Sequence, residues 1–325
     1  MRKLLTLAVV LFSLVAQSLA QTWQDPSSHI QGVVQAGNIR LSYLDWGGNG
    51  LPIIFLAGLG QSPHIFDHLA VQFTNKHHVI GMFRRGHGTS DRPSSGYDSG
   101  TLAEDLRAAL DALSMRRVVL VGYSFGGVEV TEFLRRYSDR VERVVYLDSA
   151  YDNTKMPTSG DPVRMPSPTA EDLANIQAGM KWFERAFGFA TPAIEADARA
   201  MNMLPSGKMT MEVLPLGIGA QLWKTWTSFK PDFSGTRTPV LAIYAISESH
   251  PSLSQGASAD LREKADEFWR TNWVPYQEQS LGELLTTKGP VRIAVLRNTS
   301  HLCFFRPQDE AQVAHAISAF LDESF

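Results

Sequence analysis

The pentapeptide Gly122-Tyr123-Ser124-Phe125-Gly126 follows directly on the apolar run Val118-Val119-Leu120-Val121 and leads at once into a stretch of helical periodicity over 128–137. The branched run reads as a buried strand. A strand that turns into a helix within a residue or two needs small residues on either side of the turn, and the glycines at 122 and 126 supply them. Such a turn leaves the Ser124 hydroxyl standing clear at the carboxyl end of the strand. The chain is thereby constrained to a sheet with helices packed on it and a serine presented at the sheet's edge.

The rest of the chain agrees with that constraint. Half-apolar runs over 32–36 and 39–46, separated by Gly37-Asn38, predict a hairpin. Strands are expected at 52–56, 78–83, 117–121, 141–147, 239–244 and 291–296. Helical patterns fall at 63–73, at 126–137 and at 307–321, and a helix opening on a Thr101/Glu104 capping box carries Leu102, Leu106, Leu110 and Leu113 at helical spacing. Strands alternating with helices specify an α/β fold: a mostly parallel twisted sheet of about eight strands with helices on both faces. Between 151 and 237 only helical segments appear, so this interval is read as an inserted helical lid. It divides the core into a first part, 21–150, and a second part, 238–325. Aromatic and Met residues crowd the lid, and most are expected to pack its helices against one another.

With 325 residues, 44% hydrophobic and 19% charged, the chain has length for one large core plus a lid. Residues 1–20 differ from the rest. Arg2 and Lys3 precede an apolar stretch over 4–15, and Ser18-Leu19-Ala20 supplies small residues before a cleavage point, which predicts a removable signal peptide and an exported protein, periplasmic or secreted. The stretch falls short of the roughly 20 apolar residues of a spanning helix, so no stable membrane insertion is expected after its removal. The sole cysteine, Cys303, has no partner for an internal disulfide and reads as a small buried hydrophobe. The net charge of −3 becomes about −5 once Arg2 and Lys3 are gone, and no basic tract or phosphate-cradling Gly-Lys-Ser/Thr loop is present. Nucleic acid and nucleotides are poor partners for such a chain.

A serine hydroxyl is a weak nucleophile near neutral pH, so Ser124 needs a base and donors for the oxyanion that its attack creates. His301 is the candidate base, in the loop Asn298-Thr299-Ser300-His301 after the last strand. His64 and His68 share a helix face and form at most a weak metal pair without a third ligand, so surface positions are expected for them, as is a solvated loop for His77 and His78. No metal or other cofactor is expected. Glu248, just past the strand at 239–244, is the preferred acid because it gives the chain order Ser, acid, His. Asp148, at the end of the strand at 141–147, is the competitor, and Asp152 a more distant one. The oxyanion hole is expected from the backbone N–H groups of Phe125 and Leu59, the latter within Ala57-Gly58-Leu59-Gly60-Gln61-Ser62.

These residues resemble the α/β-hydrolase superfamily, in its lidded serine-hydrolase, esterase-like branch, over nearly all of the chain beyond residue 20. Besides the serine turn and the Ser300-His301 loop, Phe83-Arg84-Arg85-Gly86-His87-Gly88-Thr89-Ser90 is similar to the family's Asp-x-x-Gly-x-Gly-x-Ser turn. The chain departs from the family pattern at Phe83 for Asp, at Ala57 for His, and at Ala245-Ile246-Ser247-Glu248 for Gly-x-x-Asp. A serine at the turn, rather than the Asp of haloalkane dehalogenases and epoxide hydrolases, implies acyl transfer. The resemblance implies hydrolysis of an ester or related acyl bond of a hydrophobic small molecule through an acyl-enzyme. A ligand-binding protein on a hydrolase scaffold, or an acyltransferase to an acceptor other than water, are the alternatives.

Overall fold

The computed structural model describes residues 23–325 apart from 158, 165, 252, 254 and 255; the predicted signal peptide at 1–20 lies outside the described residues. Strands β1 (Ile30–Ala36), β2 (Ile39–Gly47), β3 (Ile53–Leu56), β4 (Val79–Met82), β5 (Val118–Tyr123), β6 (Val141–Leu147), β7 (Val240–Ile246) and β8 (Val291–Arg297) form one sheet in the order β1-β2-β4-β3-β5-β6-β7-β8. The hairpin turns at Gly37, whose φ of 61° suits a residue without a Cβ. β2 is antiparallel to both β1 and β4, and the strands from β4 to β8 are mutually parallel. The order runs outward in both directions from the β3/β5 pair, and ligands of open parallel sheets bind beyond the carboxyl ends of the strands at such a switch point.

Successive side chains on a strand point to opposite faces, and both faces here are covered. Phe55, Val121, Leu147 and Ile243 meet Phe66, Phe304 and Ile317 on one side. Ile54, Leu120 and Tyr146 meet Leu106, Phe133 and Leu284 on the other. Each large apolar side chain fully buried in this way contributes on the order of 1.5–3 kcal/mol, which is why the central strands carry no polar alternation.

Three elements differ from the sequence expectation. The segment over 63–73 is a 3₁₀ turn (Pro63–Phe66), the short helix α1 (Asp67–Ala70) and a second 3₁₀ turn (Val71–Phe73), not one continuous helix. Helix α2 (Ser99–Ala112) is capped by Asp98, whose carboxylate accepts from the Thr101 N–H at 2.9 Å and its hydroxyl at 2.7 Å. An Asp one turn upstream outcompetes the Thr101/Glu104 box, because its two oxygens satisfy both donors and its charge suits a helix amino terminus. Glu104 instead accepts from Arg107 at 2.7 Å. Between β7 and β8 the chain adds α7 (Ala259–Phe268), a π-helical turn (Trp269–Trp273) and α8 (Val274–Leu284), a helical pair that the sequence reading left unassigned.

Helix α3 (Phe125–Arg136) follows β5 directly, and α9 (Pro307–Asp322) ends the fold. Between β6 and β7 lie α4 (Ile176–Phe187), α5 (Pro192–Met201) and α6 (Leu216–Thr227). Asn175 and Thr191 cap α4 and α5 by accepting from Ala178 and Ile194 N–H groups. Ile218 and Leu222 of α6 pack in one cluster with Phe125 and Leu59, so the inserted helices rest on the turn after β3 and on the turn after β5. Among the described residues no helix is long and apolar enough to cross a membrane.

Candidate active site

Ser124 holds φ 51°, ψ −118° between the last residue of β5 and the first of α3. A non-glycine residue in that region is strained, and the strain is tolerated because the surroundings fix it from every side. A Cβ at 126 would come within 2.1 Å of the Leu56 carbonyl oxygen, and one at 122 within 2.7 Å of the Gly126 oxygen. Both glycines are therefore required by contact with backbone, which cannot yield. As the first residue of α3, Phe125 carries one of the N–H groups that a helix leaves unpaired at its amino end. The helix dipole favours negative charge there.

His301 lies in the loop between β8 and α9. Its Nδ1 is 2.6 Å from Asp148 Oδ2. The second oxygen of Asp148 accepts from the Tyr151 hydroxyl at 2.7 Å and from the Ala245 N–H at 3.0 Å. The Asp148 side chain is 7% exposed and that of His301 46%, so the carboxylate is shielded while the imidazole reaches the open cavity. Tyr123, the residue before Ser124, stacks on the His301 ring with centroids 4.8 Å apart and donates its hydroxyl to the His301 carbonyl at 3.1 Å. Burial holds the phenols of Tyr123 and Tyr151 well above their usual range, so both remain neutral donors.

The acid facing His301 is thus Asp148, and the preference for Glu248 is corrected. Glu248 lies exposed beyond the end of β7. The physical reason is the turn after β6: Asp148 adopts φ 41° and Ala150 φ 69°, which folds the carboxylate back along the sheet's edge. Asp tolerates this region better than most residues. The signal was present in the sequence as an acid placed immediately after a strong apolar strand.

Leu59 lies in the turn after β3 and is half-buried. That turn is held by Arg84, which was not singled out from the sequence although it belongs to the Phe83–Ser90 turn. Its guanidinium donates to the carbonyls of Ala57 at 2.5 Å and Gly58 at 2.7 Å, pairs with Glu129 of α3 at 2.6 Å, and sits 4.8 Å over the Phe125 ring. Both members of the pair are 5% exposed. One buried cation therefore ties the Leu59 turn to the helix that carries Phe125.

Ser124, Asp148 and His301 line one cavity of about 1260 Å³. Phe183, Phe187, Phe189 and Trp226 from the inserted helices, with Trp269 and Trp273 from the π-helical turn, form much of its apolar wall. Cys303 is buried, and burial raises its thiol pKa strongly, so it is no nucleophile at neutral pH. His64, His77 and His78 are less solvated than expected: His78 pairs with Asp45 at 3.0 Å, His77 bonds the Leu51 carbonyl at 3.0 Å, and His64 is buried.

A family model described as the alpha/beta hydrolase fold matches residues 52–264, most of the chain. The chain belongs to the alpha/beta hydrolase fold family. It is 39% identical over 106 residues to a non-heme chloroperoxidase of Streptomyces lividans, a match covering 32% of this chain and 38% of that protein. It is 32% identical over 146 residues to a bifunctional esterase/perhydrolase of Acinetobacter calcoaceticus, covering 44% of this chain and 52% of that one. The chain thus spans about two fifths to one half of the length of these curated relatives. The solved structure of an E-2-(acetamidomethylene)succinate hydrolase superposes with a TM-score of 0.64 at 21% identity, covering 91% of this chain and 100% of that one. At that identity the likeness concerns the fold.

Proposed function

We propose that this protein is a serine hydrolase that cleaves a carboxylic ester or related acyl bond of a hydrophobic small molecule. In this reading Ser124 Oγ attacks the carbonyl carbon while His301 Nε2 takes its proton. The carbonyl oxygen becomes an oxyanion that accepts from the N–H groups of Phe125 and Leu59. Collapse of the tetrahedral intermediate breaks the bond to the leaving group, which receives the proton from His301, and an acyl-Ser124 ester remains. Water, deprotonated by His301, repeats the attack and releases the acid. Asp148 acts through His301, fixing its Nδ1–H tautomer and stabilising the imidazolium.

The observation that carries this reading is the 2.6 Å contact between His301 and Asp148 at the rim of the cavity that Ser124 also lines. A cavity of about 1260 Å³ with aromatic walls is larger than most small-molecule sites and suits an extended apolar acyl or alcohol portion. The helices over 151–237 serve as its lid. The basic, apolar and small-residue pattern over 1–20 supports export to the periplasm or beyond. Hydrolysis of p-nitrophenyl esters of increasing chain length tests the proposal. Activity on the longer esters that falls at least about 10³-fold in a folded Ser124→Ala variant is expected. Near-normal turnover in that variant would end it.

A further inference from the structure

A second cluster of ligating side chains lies away from Ser124, where the segment before β1 crosses the 3₁₀ turn Pro63–Phe66 and helix α1. Asp25, His29, His64 and Asp67 each direct one ligand atom into a space in which these atoms all lie within 4.8 Å of one another. The His64 and Asp67 side chains are 11% and 2% exposed, that of His29 10%. The partner of His64 is therefore His29, with two carboxylates, and not His68, which is 42% exposed.

The hydrogen bonding of this cluster does not close. His64 Nδ1 is 3.0 Å from Asp67 Oδ2 and 3.2 Å from Asp25 Oδ2, and a single ring N–H serves only one of them. Its bond goes to Asp67, and Asp25 Oδ2 is left buried without one. His29 Nδ1 is likewise buried without a hydrogen bond, 3.8 Å from Asp67 Oδ1. Unsatisfied buried polar atoms cost on the order of 1–3 kcal/mol each, and two converging on one point call for a common partner.

A divalent cation would meet that need. Tetrahedral bonds of about 2.0–2.1 Å to nitrogen and oxygen place neighbouring ligand atoms about 3.3 Å apart. The two contacts of His64, 3.0 and 3.2 Å, lie close to that spacing, and the four ligand atoms all fall within 4.8 Å of one another, so side-chain movements on the order of 1 Å complete the shell. Two imidazoles with two carboxylates select a borderline ion such as Zn(II) over Mg(II) or Ca(II), which take oxygen ligands. The outer shell is also present: Trp46 Nε1 donates to Asp67 Oδ1 at 3.0 Å, orienting the carboxylate that the ion engages through Oδ2.

We propose that Asp25, His29, His64 and Asp67 form a structural Zn(II) site that pins the segment before β1 to the 3₁₀ turn and α1. Binding replaces the proton on His64 Nδ1 with the metal and releases it to solvent. All four donors are protein atoms, so the shell has no open position for substrate.

The test uses the full purified protein, stripped with a chelator and titrated with ZnCl₂ by calorimetry, with metal content measured after dialysis. One Zn(II) per chain is expected, with a rise in Tm of at least about 3 °C at saturation that MgCl₂ does not reproduce. Asp25→Ala and His29→Ala are each expected to weaken binding at least about 100-fold. Co(II) in place of Zn(II) supplies a readout independent of any variant, since a tetrahedral mixed-ligand site gives intense visible absorption. No stoichiometric Zn(II) uptake by wild-type protein, a weak octahedral-type Co(II) spectrum, or unchanged affinity in folded His29→Ala would overturn the proposal.

Discussion

Asp148 and His301 stand 153 positions apart in the chain and meet at 2.6 Å between carboxylate and imidazole. Their meeting depends on two loops at the carboxyl edge of the sheet, one after β6 and one after β8, that β7 separates. The Ala245 N–H of β7 binds the other Asp148 oxygen, so the intervening strand itself holds the acid in place. Replacing Asp148 by Asn keeps the shape but removes the charge and presents the wrong tautomer partner to His301. Turnover is expected to fall at least about 10²-fold in Asp148→Asn and to change less than about twofold in Glu248→Gln. Steady-state kinetics on one ester with both variants checks this.

Tyr151 supplies a neutral hydroxyl to Asp148 Oδ1 at 2.7 Å. Tyr151→Phe removes that donor while the Ala245 N–H remains. Loss of one of two donors to a buried carboxylate is expected to lower kcat by about 3–30-fold and to leave KM within about twofold. Comparing kcat and KM separately distinguishes this positioning role from a role in substrate binding.

The Arg84–Glu129 pair is buried at both ends, and removing one partner leaves an uncompensated charge. Glu129→Ala is expected to destabilise the fold by about 3–5 kcal/mol in urea unfolding. Arg84→Met removes the cation together with its bonds to the Ala57 and Gly58 carbonyls. That variant is expected to lose turnover through the loosened Leu59 turn. Both effects are checked by pairing denaturation curves with kinetics below the transition.

Asp197 lines the cavity and accepts from the Ser62 N–H and hydroxyl at 2.6 Å each. Burial pushes its pKa up to about 6, against the lowering effect of the Ser62 bonds. Its folded value lies above its ordinary value of 3.8, so the native state binds the proton more tightly than the unfolded chain. This group therefore reduces stability as pH rises from about 4 to about 6, and the loss is complete above that window. Asp197→Asn is expected to gain stability relative to wild type progressively over the same range, by on the order of 1–3 kcal/mol at pH 7. Urea unfolding of both proteins at pH 4, 5, 6 and 7 measures the difference, and a constant offset would contradict the assignment.

The sheet was legible because its central strands are short runs rich in Val, Ile and Leu buried on both faces, and a serine between glycines marks one of their ends. Ser124 and His301 were singled out from local context. The carboxylate that meets His301 was not, because Asp148 and Glu248 both lie between them in the chain order, and only the left-handed turn at Asp148 and Ala150 aims one of them at the imidazole. Arg84 was missed because its contacts join three segments remote in sequence. The grouping of His29 with His64 was hidden for the same reason: Asp25 and His29 precede the first strand, whereas His64 and Asp67 follow the third.

The central claim is that folding makes the Ser124 hydroxyl a nucleophile through the His301–Asp148 pair. Incubation of the folded protein with a fluorophosphonate, followed by peptide mass spectrometry, reads that property directly. The account predicts one covalent adduct, on Ser124, formed at least about 10²-fold more slowly in His301→Ala. Folded wild-type protein that stays unlabelled, or that is labelled on another residue, would contradict it.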